Sequence, residues 1–276
     1  MYKFGVSYNV FDGVELLEDS INQIREVVDH ISIVFQTTSY YGEKLTQKEI
    51  DVVKSLKKRG LVDSLIFFKL DKSLSIHQNQ INKRNYGKKI AKDNGCTHYM
   101  TLDCDEFYVT EEFRKLVDFH KSNPESITYL PLVAYYKDTK YLIDSSKYMD
   151  GDLFVSGFFP VKYDLIMNFP CTVKVDPTRK VGVKKTDLIV ILEKKFIKMH
   201  HLSYVRKDIY KKIFNAASKL RYGNNIEHFN VVYNAYKNFE KNRVAISADR
   251  HQYNIIEIEP EIILVNYYNF NEKKRN

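Results

Sequence analysis

Several features that would assign this chain to a class at once are missing from its sequence. No apolar run approaches the roughly eighteen residues of a membrane span, and no charged-then-apolar signal segment opens the chain. Internal repeats and low-complexity linkers are also absent. The three cysteines form no CxxC pair. These absences predict a reduced, cytoplasmic protein, and any membrane contact is expected to be peripheral.

Charge is abundant and positive overall, with 43 lysines and arginines against 35 acidic residues. The formal net charge of +8 favours an anionic partner such as a nucleotide, a phosphorylated glycan or a membrane surface. The basic residues are spread along the chain except in EKKRN (272–276), and no RNP-like, zinc or helix-turn-helix signature appears. We therefore expect no nucleic-acid partner. A basic protein that binds nucleic acid is the alternative to an enzyme.

Four apolar segments separated by amphipathic stretches organise the first part of the chain. Strands are predicted at 3–10, 31–36, 64–70 and 98–103. The segments between them predict helices, the second opened by the capping box Thr46-Gln47-Lys48-Glu49 and the third covering about 76–94. Gly87 lies inside the third helix, where a glycine indicates close packing against a neighbour. This alternation predicts an α/β fold with a mostly parallel sheet and helices on both faces.

The pattern changes after residue 108. A helix at 111–121 and a strand at 127–136 precede an irregular polar stretch at 137–164. The remaining apolar segments predict strands at 187–193, 195–201 and 261–268 and helices at 205–220 and 225–242. Because no linker separates the two parts, we predict one domain over 1–276 with a less regular second half.

The segment THYMTLDCDEFY (97–108) ends its strand with three carboxylates. Asp103 and Asp105 share one face of the strand because side chains alternate along it. Like charges this close repel and are costly to desolvate unless a cation neutralises them. A metal ion, a nearby lysine or arginine, or solvent can do so, and the paired oxygen donors favour a hard divalent metal.

Two other segments bring groups that suit phosphate or metal to the same region. Arg84 lies on the helix that contains Gly87 and is expected near the strand ends, where ligands of open α/β sheets bind. The segment KMHHLSYVRKD (198–208) offers His200 and His201 as further metal ligands. Arg206 adds a guanidinium suited to bidentate phosphate contact.

Taken in order, these motifs resemble the donor-binding core of GT-A-fold glycosyltransferases, especially the family 2-like group with a DxD motif. The matching segments are VSYN (6–9), KRNYGKKIAKDNGCTHYMTLDCDEFY (83–108) and MHHLSYVR (199–206). The resemblance implies a GT-A-type, Rossmann-like sheet and a single glycosyltransferase domain. Residues 1–108 would be its nucleotide-sugar-binding half, and 109–276 its acceptor-binding half with C-terminal helices.

The resemblance also implies site residues. A divalent metal, Mn²⁺ or Mg²⁺, would bridge the DxD motif and the diphosphate of a nucleotide sugar. Its implied ligands are Asp105 and His201, with His200 as the alternative to His201. Asp103 would bind either the metal or the ribose. The implied donor-binding residues are Tyr8, Asn9, Gln36, Arg84, Asp103 and Arg206. A UDP-sugar is the favoured donor, but Gln36 stands where the family usually has a base-reading acid, so the base stays open.

The implied reaction is transfer of a hexosyl group to a hydroxyl of a glycan or other acceptor. An inverting reaction needs a carboxylate base, and Asp150 and Asp152 in the irregular stretch are the candidates. A sugar-nucleotide nucleotidyltransferase is the alternative enzyme, but it should carry a glycine-rich loop after the first strand. VSYNVFDG (6–13) has only one glycine there. A DxD phosphatase would carry its motif after the first strand, not the fourth.

Overall fold

A computed structural model describes residues 1–144, 153–215, 226–246 and 251–269. In its first half, strands and helices alternate as predicted. The strands are β1 (Phe4–Val10), β2 (His30–Phe35), β3 (Ser64–Phe67) and β4 (His98–Asp103). The helices are α1 (Val14–Ile24), α2 (Gln47–Lys58) and α3 (Ile76–Asp93). All four strands run parallel in the order β3-β2-β1-β4, so the mixed α/β fold with a parallel sheet flanked by helices is confirmed.

Side chains on the two faces of β1 explain how the helices pack. Phe4, Val6 and Tyr8 alternate into the core that contains the apolar residues of α1 and α2. Gly5 and Ser7 point to the opposite face, where α3 crosses the sheet. The predicted capping box at Thr46 opens α2.

The second half forms a larger sheet that begins at the acidic motif. Its strands are β5 (Glu106–Phe107), β6 (Ile127–Tyr136), β7 (Asp138–Asp144), β8 (Phe154–Ser156), β10 (Ile189–Ile191), β11 (Met199–Tyr204), β12 (Val244–Ile246) and β13 (Gln252–Glu257). The short strand β9 (Phe159–Pro160) instead joins the first sheet, where it pairs antiparallel with β4. The strand order is β12-β13-β7-β6-β11-β5, and β8 and β10 also pair with β6. Since β5 pairs antiparallel with β11, His201 lies opposite Glu106. This pairing carries the histidines of the second half to the acidic motif.

The second half contains five helices among the described residues, of which the first and the last contact α1. They are α4 (Thr110–Ser122), α5 (Ile209–Asn215), α6 (Ile226–Lys237), α7 (Phe239–Asn242) and α8 (Asn266–Asn269). Among the described residues, no helix is long and apolar enough to cross a membrane. All three cysteines are free thiols.

Two predictions for the second half are wrong. The stretch expected to be irregular contains β7, β8 and β9, and the predicted strand at 261–268 is an irregular segment with bends that ends in α8. In that segment Ile262 and Leu264 are buried while Ile263 and Val265 are exposed, so the alternation is real. The buried side chains pack in a cluster with Leu16 of α1, Phe107, Tyr135 and Leu202. The buried Asp19 carboxylate accepts the backbone N–H of Asn266 at 2.9 Å. Burial in this cluster, without strand pairing, therefore produced the pattern that predicted a strand.

Replacing Gly87 by alanine is expected to destabilise the protein. A Cβ at this position would lie 2.2 Å from Ser7 Oγ and 2.6 Å from Ser7 Cβ, so α3 would have to move away from β1. Overpacking of this kind costs about 1–3 kcal/mol, which outweighs the ~1 kcal/mol of helix propensity gained. Urea unfolding measures the difference. Lys92→Ala, on an exposed position of the same helix, should change stability by less than about 0.5 kcal/mol, and an equally stable Gly87→Ala protein would contradict the close packing.

Candidate functional site

A cleft of about 750 Å³ opens where the two sheets meet. Its walls include the carboxyl ends of β1, β2 and β4 on one side and residues of β6, β8 and β11 on the other. The side chains that line it and matter below are Asn9, Gln36, Tyr40, Lys83, Arg84, Asp103, Asp105, Glu106, Asp176, Arg179, His201, Arg206 and Lys212. Charged groups of both signs thus converge at the strand ends, where open α/β sheets bind ligands.

Asp103, the last residue of β4, is held by two arginines. Arg84 Nη2 donates to Asp103 Oδ2 at 3.0 Å, and Arg179 Nη2 donates to the same oxygen at 2.7 Å. Burial alone would raise the pKa of Asp103, but the charges of these guanidinium groups outweigh it and lower the pKa to about 2. Asp103 is therefore a carboxylate at neutral pH, with its charge compensated from two different segments of the chain.

The same Arg179 also binds Glu106 with both terminal nitrogens. Glu106 in turn accepts the backbone N–H of Asp103 at 3.0 Å, which closes the turn between β4 and β5. Arg179 is almost completely buried, with 1% exposure. This guanidinium fixes the shape of the acidic turn as well as its charge.

Asp105 is compensated by a second pair of cations. Arg206 Nη2 donates to Asp105 Oδ2 at 2.6 Å, and Lys212 Nζ donates to the same oxygen at 3.1 Å. Burial opposes ionisation, yet the charges of Lys212 and Arg206 hold the pKa of Asp105 well below its usual range. Arg206 reaches this position over Gly13, whose φ is +79° and where a Cβ would lie 1.7 Å from Arg206 Nη1.

His201 lies beside Asp105, with its Nε2 atom 3.8 Å from Asp105 Oδ2. Burial lowers the pKa of His201 below its ordinary value, so the imidazole is neutral at pH 7 and keeps a lone pair for a metal. No group of three or more His, Cys, Asp or Glu side chains that could hold a metal occurs among residues 1–144, 153–215, 226–246 and 251–269. A divalent cation at Asp105 and His201 would need its remaining ligands from a bound anion and water.

Near the ends of β1 and β2, a buried lysine fixes the Gln36 amide. Lys83 Nζ donates to Val10 O at 2.9 Å and to Gln36 Oε1 at 3.2 Å, while Gln36 Nε2 donates to Thr38 O at 3.0 Å. Asn9 Nδ2 donates to Thr101 Oγ1 at 2.7 Å. The buried Asn9 Oδ1 has no hydrogen-bond partner in the described part of the chain. The side-chain amides of Asn9 and Gln36 are therefore held in fixed orientations.

Most of the predicted site residues lie together in the cleft, but two of them point elsewhere. Tyr8 is completely buried and hydrogen-bonds Ser20 at 2.9 Å, because its position in β1 faces α1, so it does not flank the cleft. His200 points away from its neighbour His201 on β11 and contacts the Tyr135 hydroxyl at 2.8 Å. It does not reach Asp105. The predicted bases Asp150 and Asp152 lie outside the described residues.

Sequence reasoning missed several residues that line the cleft, namely Tyr40, Lys83, Asp176, Arg179 and Lys212. Lys83 was visible only as one lysine on a basic helix. Arg179 belongs to Asp-Pro-Thr-Arg (176–179), in which Asp176 accepts hydrogen bonds from Thr178, and this turn signature was the available signal. Lys212 carries no local signal, because its partner is 107 residues away.

Similarity to known proteins is low throughout. No protein-family model and no curated protein matches the sequence. The chain is similar to the crystal structure of S. aureus TarS 1–349, with 12% identity, a TM-score of 0.44, and coverage of 87% of this chain and 73% of that one. The complex of TarS 1–349 with UDP-GlcNAc matches at 12% identity and a TM-score of 0.36 over 48% of this chain and only 35% of that one. The complex of TarS 1–349 with UDP matches at 11% identity and a TM-score of 0.40, over 87% of this chain and 73% of that one. Likeness at this level assigns neither a family nor a function.

The stability of the protein should depend on pH through Lys83. Burial lowers the pKa of Lys83 from 10.5 to about 7, against the opposing charge of Asp103. Between these two values the unfolded chain binds one more proton than the folded chain, so this residue makes stability rise with pH. Urea unfolding of wild type and Lys83→Met at pH 6, 7, 8 and 9 measures it. The free energy of unfolding of wild type relative to the variant should be constant below pH 7 and increase above it.

The matched control is Lys92→Met, which changes an exposed lysine of the same helix. Its difference from wild type should not vary with pH. If Lys83→Met gave an equally flat difference, Lys83 would be charged throughout this range.

Proposed function

We propose that this chain is a metal-dependent glycosyltransferase that transfers a sugar from a nucleoside-diphosphate donor to a hydroxyl acceptor. The observation that carries the proposal is the convergence of Asp105, His201, Arg206 and Lys212 in one cleft at the strand ends. Asp105 and His201 are groups that ligate divalent cations, whereas Arg206 and Lys212 are groups that neutralise phosphate oxygens. A diphosphate bound to a divalent cation satisfies both pairs.

The donor would lie across the cleft with its diphosphate at Asp105 and its base toward Gln36. Asp105 and His201 would hold Mn²⁺ or Mg²⁺. Asp103, already bound by two guanidinium groups, suits a contact with the ribose better than a place in the metal shell. Asn9 and Gln36, which line the cleft, would lie beside the base, and a UDP-sugar is the favoured donor.

Departure of the nucleoside diphosphate develops negative charge on its phosphate oxygens. A divalent cation, when bound, supplies Lewis-acid stabilisation of that charge. Arg206 and Lys212 would add two positive groups at the same point. Both cations are held by Asp105 in the free protein, so binding of a diphosphate would require them to share or exchange this partner.

Calorimetric titration of UDP and GDP, each with and without Mn²⁺, tests this proposal. Wild type should bind one nucleotide tightly only in the presence of the metal. Asp105→Asn keeps the shape of the side chain and removes the charged ligand. It should weaken metal-dependent binding by at least the ~10-fold that changes around a metal site cause.

Asp118→Asn is the matched control, because Asp118 lies exposed on α4 and pairs only with Lys121 among the contacts described. It should bind like wild type, and circular dichroism should show all three proteins folded. Binding that is absent, or that needs no metal and survives Asp105→Asn, would refute the proposal. A steep salt dependence of RNA or DNA binding would then favour the basic-surface alternative.

A further inference from the structure

Three side-chain nitrogen atoms surround one carboxylate oxygen in the cleft. Arg206 Nη2 and Lys212 Nζ donate hydrogen bonds to Asp105 Oδ2 at 2.6 and 3.1 Å. A carboxylate oxygen has two lone pairs, so these two donors saturate it. His201 Nε2 lies 3.8 Å from the same oxygen, too far for a hydrogen bond. A metal ion that binds between Asp105 and His201 would therefore have to displace one of the two donors.

Arg206 is the donor that is held in place. Its side chain is only 2% exposed, and its guanidinium lies against Gly13, where it leaves no room for a Cβ. Its Nε atom donates to Ser203 O at 3.4 Å. The backbone beside it is also tied down, because the Tyr236 hydroxyl donates to Arg206 O at 3.5 Å. Displacing this guanidinium would therefore disturb several contacts at once.

Lys212 is the donor that can move. Its side chain is 25% exposed, and among the contacts of the described residues Asp105 is the only partner of its ammonium group. This compact charge ends a flexible four-carbon stem, so it can change position while the backbone stays still. α5 itself is anchored by Ile209 and Ile213, which pack in one cluster with Phe229 of α6. The helix thus keeps its place while the ammonium group changes partner.

Resting on the proposed function, we propose that Lys212 is an internal counter-ion of the metal site. In the free protein its ammonium group neutralises Asp105 Oδ2 in place of a divalent cation. When a nucleoside diphosphate and a divalent cation bind together, the ammonium group gives up that oxygen and pairs with an oxygen of the diphosphate.

This exchange couples the two ligands. A metal ion alone would leave the displaced ammonium group without a partner in a partly buried position, which is costly. A diphosphate supplies the missing partner. Each ligand therefore makes the other bind more tightly, by the same factor.

Calorimetric titration of Mn²⁺ alone, and of UDP and GDP at saturating Mn²⁺, measures the exchange in wild type and Lys212→Met. Methionine keeps an unbranched side chain and removes the charge. The variant should bind Mn²⁺ alone at least about tenfold more tightly than wild type, the smallest effect typical of a group that contacts a metal ligand. At saturating Mn²⁺ it should bind the nucleotide about tenfold or more weakly, because the diphosphate loses a charged hydrogen-bond donor.

The matched control is Lys211→Met, which removes the same charge from the neighbouring position of α5. Lys211 pairs with Glu49 of α2 at 2.8 Å and is not among the described residues that line the cleft. Because salt screens charges that do not touch the site, its affinity for Mn²⁺ should stay within about twofold of wild type. Circular dichroism should show both variants folded.

The opposite signs of the two effects separate an exchange from a structural role, in which loss of Lys212 would weaken both kinds of binding. A wild type that binds neither UDP nor GDP would refute the glycosyltransferase and the exchange together. If wild type shows metal-dependent nucleotide binding, three results would each overturn the role of Lys212 alone. They are Mn²⁺ binding by Lys212→Met that is no tighter than wild type, nucleotide binding by that variant that is not weakened, and an equal gain in Mn²⁺ affinity by Lys211→Met.

Discussion

Two carboxylates separated by one residue, the half-buried Asp103 and the buried Asp105, must be neutralised for this protein to fold, and the rest of the site is arranged around that requirement. Arg84 and Arg179 compensate the first, and Arg206 and Lys212 the second. Removing such a charge from water without a partner would cost several kcal/mol. The four cations come from three separate segments of the chain, so neutralising the acids also brings those segments together at one cleft.

The first half of the fold was predictable because its signals are local. Apolar periodicity, the Thr46 capping box and Gly87 each depend on residues within one helix or strand, and all three appear in the structure. The second half was predicted less well. Its short strands β8, β9 and β10 have two or three residues each, too few for a periodic pattern. The alternation at 261–268 reflected burial in a cluster of side chains from α1, β5, β6 and β11 rather than strand pairing.

The candidate site divides in the same way. Asp103 and Asp105 stand out in the sequence because three acids come directly after an apolar strand. Gln36, Asn9 and His201 could be predicted because each lies at the end of a predicted strand. Tyr8 was misjudged because strand alternation fixes which residues share a face, but not which face meets the ligand. The only local signal for Arg179 was its turn signature, and Lys212 had none, because each meets its carboxylate partner across more than seventy residues of chain. Such contacts depend on how the two sheets pack, which no local pattern contains.

The span of the Asp105–Lys212 contact has a consequence for the order of assembly. During synthesis, the strand that ends in the acidic motif is complete long before Lys212, 107 residues later, has been made. Contacts this distant along the chain close late and slow the folding of a domain. The emerging first half must therefore keep its acids hydrated until the second half arrives. Competence to bind a ligand in this cleft would then report that the whole chain has folded.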